Sequence, residues 1–396
     1  MVQAPPAAGE PSLLGALARV GAHLAWEAVT RPVARRLEDV PRRIEAITAE
    51  WLTAVLCGGA PGAEVTAFAF GPGSSGTSVR RQIRLTYNAA GAAAGLPATL
   101  FAKSTPTALT RLVNGFSGTT AVEALFYARL RPELTLEAPT GYHSAYSLTS
   151  YRSIHLLEDL VATRQAIFCS PRSHINRDQA NDIVDILAAL HARFYDDRRI
   201  GTGFGGLKTY PRWFRDADRW ANLRRHHERA MSEAAAVIPA DVLARRNEIW
   251  PALMRSFEAH GTEPATVLHS DVHLGNWYIT GAGRMGLCDW QCVNTGLWAR
   301  DVAYAISATL TVEDRRAWES ELLERYLEKM RAGTGRHFEF ERSWTLYRQQ
   351  MFAALLMWTP TLCHSPLFPD MQPMEVCLEM IKRMTTAISD LGSLDP

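Results

Sequence analysis

His269, Asp271, Asn276 and Asp289 are the residues whose types and spacing point most directly to chemistry. The first three lie in His269-Ser270-Asp271-Val272-His273-Leu274-Gly275-Asn276, and Asp289 follows across a short apolar hairpin. Phosphoryl transfer needs a carboxylate near the acceptor hydroxyl. It also needs an amide oxygen and a second carboxylate to hold a divalent cation against the phosphates. One turn and the strand end after it could supply all three. Two other readings use the same residues. Asp and Asn are common backbone caps in turns, and His269-x-Asp271-x-His273 has the donor types of a hydrolytic metal site.

Upstream, Gly71-Pro72-Gly73-Ser74-Ser75-Gly76 lies between two apolar alternating runs. Glycines there let backbone N–H groups approach phosphate oxygens, although a plain hairpin turn accounts for them equally well. A dinucleotide-binding loop needs a helix next; a strand pattern follows instead, which argues against a Rossmann fold. Lys103 ends an apolar strand, where a solvated lysine is the ordinary reading. Thr120-x-x-Glu123 has the spacing of a capping box, which would use Glu123 at a helix start. The functional alternative pairs Lys103 with Glu123 and holds the ammonium toward phosphates. Such a pair gains meaning from its order, after the glycine segment and before the Asp–Asn motif.

The elements that must position these residues are legible in outline. Ile44–Leu56 reads as an amphipathic helix ended by Gly58-Gly59-Ala60-Pro61-Gly62. Val65–Phe70, Val79–Tyr87, Thr99–Lys103 and Ser153–Leu157 read as strands, residues 88–97 as a loop, and Thr120–Leu130 as a helix. From about residue 172 the pattern is helical. Ile183, Leu187, Leu190 and Phe194 share a face, and Arg315–Met330, Trp344–Met357 and Met374–Ile388 are further helices. The expectation is an α+β chain with an N-terminal extension over 1–42, a sheet-rich lobe over 43–157 and a helical lobe over 158–396. Asp301 reads as a helix cap or a partner of the catalytic turn, His269 as an orienting histidine and His191 as structural. His273 has no assigned role.

Composition narrows the class. The net charge is +1, giving no broad electrostatic case for nucleic acid or an anionic membrane. The six cysteines are scattered, which reads as reduced core thiols. Cys288-x-x-x-Cys292 lacks a second ligand pair for zinc. No run is long and apolar enough for a transmembrane helix. The run Leu13–Val29 carries Arg19, His23 and Glu27 and lacks a basic flank, so it does not read as a secretory signal. A cytoplasmic location is the default expectation. Lys103, Lys208, Lys329 and Lys382 are the only lysines among 42 basic residues, which draws attention to each.

The order of motifs resembles the aminoglycoside phosphotransferase and choline kinase-like superfamily, nearest its ecdysteroid-kinase-like branch and related bacterial phosphotransferases. The residues that carry it are Leu268–Asn276, Cys288-Asp289-Trp290-Gln291, Leu157-Glu158-Asp159-Leu160, Leu190-His191-Ala192 and Asp301-Val302-Ala303. The resemblance spans about residues 45–390. It implies a protein-kinase-like bilobal fold, with a small antiparallel-sheet N-lobe and a larger helical C-lobe. It implies ATP and Mg²⁺ as cofactors, Asp271 as catalytic base, and Asn276 and Asp289 as metal ligands. It further implies that Gly71, Gly73, Ser74 and Gly76 cover the phosphates, Lys103 contacts them, and Glu123 pairs with Lys103. Leu157, Glu158 and Asp159 would touch adenine through backbone. Ser270 stands where the family usually has glycine, and Gln291 where an acidic residue often follows Asp-Trp. Asp-Phe-Gly and Ala-Pro-Glu, expected of protein kinases, are absent, which favours a small-molecule hydroxylated acceptor.

The acceptor is expected against the helical lobe, near Trp344, Tyr347, Met351, Phe352, Trp358, Leu367 and Phe368. Glu341, Asp370, Glu375 and Glu379 are sparse there and offset by Arg342 and Arg348. That composition points to an acceptor less cationic than an aminoglycoside. A non-catalytic nucleotide-binding protein on the same fold and a His/Asp metal hydrolase remain the alternatives.

Overall fold

The computed structural model describes residues 13–75, 78–202, 204, 206–364 and 371–395. The chain divides into two compact units. The first runs to Ala166 except for Leu134–Ala138, which belongs with the second.

In chain order the first unit contains α1 (Leu13–Thr30), α2 (Ala49–Leu56), β1 (Val65–Ser75), β2 (Val79–Tyr87), α3 (Ala89–Ala93), β3 (Thr99–Ser104), α4 (Ala108–Ser117), α5 (Thr119–Leu125), β4 (Gly141–Tyr146), β5 (Ser153–Glu158) and α6 (Leu160–Arg164). The strands form one antiparallel sheet in the order β1-β2-β3-β5-β4. Successive strand residues face opposite sides of a sheet. Ile83, Leu100, Ala102, Ile154 and Leu156 therefore share one face, packed in a core with Trp51 and Leu52 of α2. Lys103 and His155, one residue out of step, face the other side, where α5 packs on β4 and β5.

Several elements differ from the sequence expectation. The Ile44–Leu56 helix is a 3-10 turn, Ile44–Ala46, followed by α2, which starts after Thr48 because the Thr48 hydroxyl caps the Trp51 N–H at 3.1 Å. The Ala-rich stretch after Tyr87 contains α3, capped by Asn88 through the Gly91 N–H at 2.9 Å. The helix expected over Thr120–Leu130 is α5 continued by a wider turn over Phe126–Leu130, and the sequence reading did not anticipate α4, which precedes it across left-handed Gly118. β4 lacks a clear alternation: all six of its residues are partly buried.

The second unit contains β6 (Ile167–Phe168), α7 (Arg177–Arg193), α8 (Tyr210–Ala221), α9 (Leu223–Glu233), α10 (Ala240–Ala244), α11 (Arg246–Ser256), α12 (Ala259–Thr262), β7 (Thr266–Leu268), β8 (Trp277–Ile279), β9 (Met285–Leu287), β10 (Asn294–Gly296), α13 (Ala299–Thr309), α14 (Val312–Thr334), α15 (Phe340–Gln349), α16 (Met351–Leu362) and α17 (Met374–Asp390). Trp344–Met357 is thus two helices, broken at Gln350. The Gln350 side chain is fully buried and bonds the Ser256 carbonyl and His260 instead of continuing a solvated face. Every residue of α13 is buried, as expected of a helix apolar on most sides. It packs against α7, α14, α15, α16 and α17, and so makes a rigid base for the residues at its N-terminus.

Candidate active site

In the second unit, β7 ends at Leu268 and the chain turns sharply. Ser270 has φ of 69°, a left-handed conformation that costs a non-glycine residue about 1–2 kcal/mol. Asp301 offsets this. Its carboxylate accepts the His269 N–H at 2.7 Å and the Ser270 N–H at 3.1 Å. Arg300 Nη1 donates to the same carboxylate at 3.0 Å, and His191 Nε2 lies 3.5 Å away. Burial by itself would raise the Asp301 pKa, but His191 and the Arg300 guanidinium hold it well below the usual carboxylate range. His191 is anchored in turn by Tyr326, whose hydroxyl is 2.8 Å from Nδ1. Asp301 therefore fixes the backbone of the turn.

His269 orients the next residue. Its Nδ1 accepts the Asp271 N–H at 3.2 Å, and its Nε2 meets the Cys288 carbonyl at 3.0 Å. This assigns the ring proton to Nε2. The Asp271 side chain retains 17 % exposure. Its Oδ2 accepts from Asn276 Nδ2 at 3.0 Å and lies 3.6 Å from His273 Nε2, while its Oδ1 lies 3.5 Å from the Tyr304 hydroxyl. Burial opposes the charge on Asp271, yet His273 beside it keeps the carboxyl below its ordinary value. The reciprocal effect raises His273 above its ordinary value despite burial.

The β8–β9 hairpin brings Asn276 and Asp289 together. Trp277 pairs with Leu287, so the strand ends place Asn276 opposite Cys288, whose N–H donates to the Asn276 carbonyl at 2.9 Å. Asp289 comes next, with φ of 63°. The Asn276 amide nitrogen is committed to Asp271, contacting its carbonyl at 2.7 Å as well as its carboxylate. Its amide oxygen is therefore the atom suited to a cation. An amide oxygen and a carboxylate are hard donors that fit Mg²⁺. Among the described residues, no group of three or more His, Cys, Asp or Glu side chains could hold a metal ion. None of the six cysteines, all among the described residues, is in a disulfide.

In the first unit, Lys103 and Glu123 form a buried ion pair. Nζ lies 3.0 Å from Oε1 and 2.8 Å from Oε2. The Thr120–Glu123 capping box does not form: α5 has no side-chain cap. The glycine segment is largely strand. Gly71, Gly73 and Ser74 lie in β1, with a register shift between Phe70 and Gly73. A Cβ on Gly71 would strike the Gln82 side chain, and one on Gly73 the Arg80 carbonyl. Close strand approach thus demands glycine at 73, where the clash is with backbone, whereas at 71 it is with the end of a flexible side chain. Gly76 lies outside the described residues. Leu157 and Glu158 end β5. The Glu158 carboxylate takes the Thr140 N–H, the Thr163 hydroxyl and Arg164, and Asp159 caps α6 and accepts from Gln82 at 2.7 Å.

Residues 123–340, more than half of the chain, match the model of the phosphotransferase enzyme family. The chain belongs to the phosphotransferase enzyme family. Family membership and the element content, a small antiparallel sheet and a larger helical part, give this phosphotransferase a protein-kinase-like α+β fold. No curated protein sequence matches it. Among solved structures it is similar to an ethanolamine kinase of Plasmodium vivax, at 13% identity over 81% of each chain and a TM-score of 0.46. It is also similar to a choline kinase of Streptococcus pneumoniae, at 14% identity over 88% of this chain and 99% of that one and a TM-score of 0.44. A microcompartment-associated aminopropanol kinase has 14% identity over 82% of this chain and 91% of that one, with a TM-score of 0.49. The family assignment rests on the family match and not on these likenesses.

Around Asp271 the phosphotransferase has neighbours the sequence did not announce. Tyr304 lies three residues after Asp301, one helical turn on, a spacing that could have flagged it. His273 packs edge-on against Trp358 at 5.4 Å. Of the other residues expected to meet an acceptor, Tyr347, Met351 and Phe352 are buried, and the Tyr347 hydroxyl bonds Glu319 at 3.1 Å. Leu367 and Phe368 lie outside the described residues. No described helix is long and apolar enough to cross a membrane.

Proposed function

We propose that this protein transfers the γ-phosphoryl group of ATP to a hydroxyl of a small molecule. The observation that carries the reading is the seating of Asp271: its carboxylate is largely buried, accepts from Asn276 and Tyr304, has His273 3.6 Å away, and feels the charge of Asp289. Asp271 orients the acceptor hydroxyl and takes its proton. The acceptor oxygen bonds the γ-phosphorus as the bond to the β-phosphate oxygen breaks, and ADP leaves. Asn276 and Asp289 hold Mg²⁺, which neutralises charge on the phosphate oxygens when bound. Lys103, kept in place by Glu123, engages the α- and β-phosphates. Gly71, Gly73 and Ser74 line the phosphates, and the Leu157–Asp159 backbone receives adenine. Most of the acceleration comes from positioning and fixed charges.

The acceptor is a hydroxylated molecule less cationic than an aminoglycoside. Supporting this, Tyr304 of α13 lies 3.5 Å from Asp271, and Trp358 of α16 packs against His273 beside it.

Thermal unfolding with and without Mg·ATP, beside Asp289→Ala, tests the reading. Ligand at a hundredfold over its dissociation constant stabilises the native state by about 2.7 kcal/mol. A Mg-dependent upshift that the variant loses supports it. A folded protein with no upshift overturns it and favours a chain that does not use nucleotide.

A further inference from the structure

Three neighbouring strands place a row of polar side chains across the sheet of the first unit. In the β3–β5 register Lys103 is opposite His155, and in the β5–β4 register His155 is opposite Ser144. Directly opposite residues on one face of an antiparallel pair have Cβ atoms about 4.5–5.5 Å apart, close enough to act as a unit. His155 and Glu123 are each 2 % exposed and Lys103 5 %. The Ser144 hydroxyl is 3.2 Å from His155 Nδ1. His155 Nε2 is 3.7 Å from Glu123 Oε2, the oxygen that lies 2.8 Å from Lys103 Nζ. That oxygen thus sits between an ammonium and an imidazole.

We infer that His155 is a positioning residue that acts on the nucleotide phosphates through Glu123 and Lys103. The inference rests on the reading of Lys103 as a phosphate ligand. A serine hydroxyl can donate to Nδ1, which leaves the ring proton on Nε2, facing Glu123. The imidazole matters because a buried carboxylate whose one partner turns away is left uncompensated, which is costly. With His155 on its far side, Glu123 keeps its orientation while the Lys103 ammonium turns part of its donor capacity to a phosphate. The lysine has three donors, enough for both.

The test is calorimetric binding of Mg·ATP and of adenosine to the full chain, with thermal unfolding of each variant beside it. His155→Phe keeps a buried ring without the N–H. At 3.7 Å the imidazole is farther than a hydrogen bond, so the variant should weaken Mg·ATP binding by about threefold, less than a full hydrogen bond to a charged group would give, and leave adenosine binding unchanged. His155→Gln retains a donor and should restore most of the affinity. In a Lys103→Ala background, His155→Phe should have no further effect, because coupled residues are not additive. Unchanged binding in His155→Phe, or additive losses in the double variant, overturns the inference while the ATP reading stands. No Mg·ATP binding by the unaltered protein overturns both. Should His155→Phe not fold, Ser144→Ala decides: a smaller loss of Mg·ATP affinity supports the inference and none refutes it.

Discussion

The Asp301 carboxylate accepts the backbone N–H groups of both His269 and Ser270, at 2.7 and 3.1 Å. One side chain on a buried helix thereby sets the path of the turn that carries Asp271. Asp301→Asn should cost about 3–5 kcal/mol, since it leaves the buried Arg300 without its carboxylate. Denaturant unfolding measures this. The pH dependence has a definite sign. The folded-state pKa of Asp301 is depressed below its ordinary 3.8, so its contribution is present above about pH 4 and is lost as pH falls further. Acid unfolding of Asp301→Asn should be flatter across that range; an unchanged acid limb would show that other carboxylates dominate.

Ser270 holds a left-handed backbone with its hydroxyl buried and unbonded. Ser270→Gly removes both costs and should raise stability by about 1 kcal/mol without loss of turnover. A lower unfolding midpoint would mean that the hydroxyl has a partner that this geometry does not reveal.

Asp271→Ala should abolish phosphoryl transfer while Mg·ATP still binds, whereas Asp289→Ala should lose the Mg-dependent part of binding. Single-turnover transfer and calorimetry separate the two. Normal turnover in either variant would sink the assignment of roles.

Tyr304→Phe removes one long hydrogen bond to Asp271 and keeps the ring against Arg300 at 5.2 Å. The expected loss in kcat is about tenfold or less, the worth of one ordinary hydrogen bond, with little change in unfolding. A thousandfold loss would place the tyrosine in direct contact with the acceptor.

Arg111 meets Glu27 through two contacts of 2.7 Å, both side chains buried, tying α1 to α4. Glu27→Ala should destabilise the protein by about 3–5 kcal/mol. The sequence placed residues 1–42 in an N-terminal extension, and a negligible effect in unfolding would leave α1 a loosely held part of it.

The sequence disclosed Asp271, Asn276 and Asp289 because they occupy one turn and the hairpin after it, where spacing along the chain is close to spacing in space. It disclosed β2, β3, β5 and α7 because a single buried face leaves a period of two or of about 3.6. It was less informative where distant parts of the chain decide. β1 runs into the glycine segment because β2 pairs with it, Gln350 ends a helix because Ser256 and His260 bind its amide, and β4 is partly buried all along. The choice between a capping box and an ion pair for Glu123 could not be made locally, since Lys103 is twenty residues away and meets Glu123 only once α5 has packed on the sheet. Thus the order and types of the chemical groups are properties of the sequence alone. Which donors aim Asp271, and which side chain stands behind Glu123, depend on contacts that exist only after strands and helices far apart in the chain have packed.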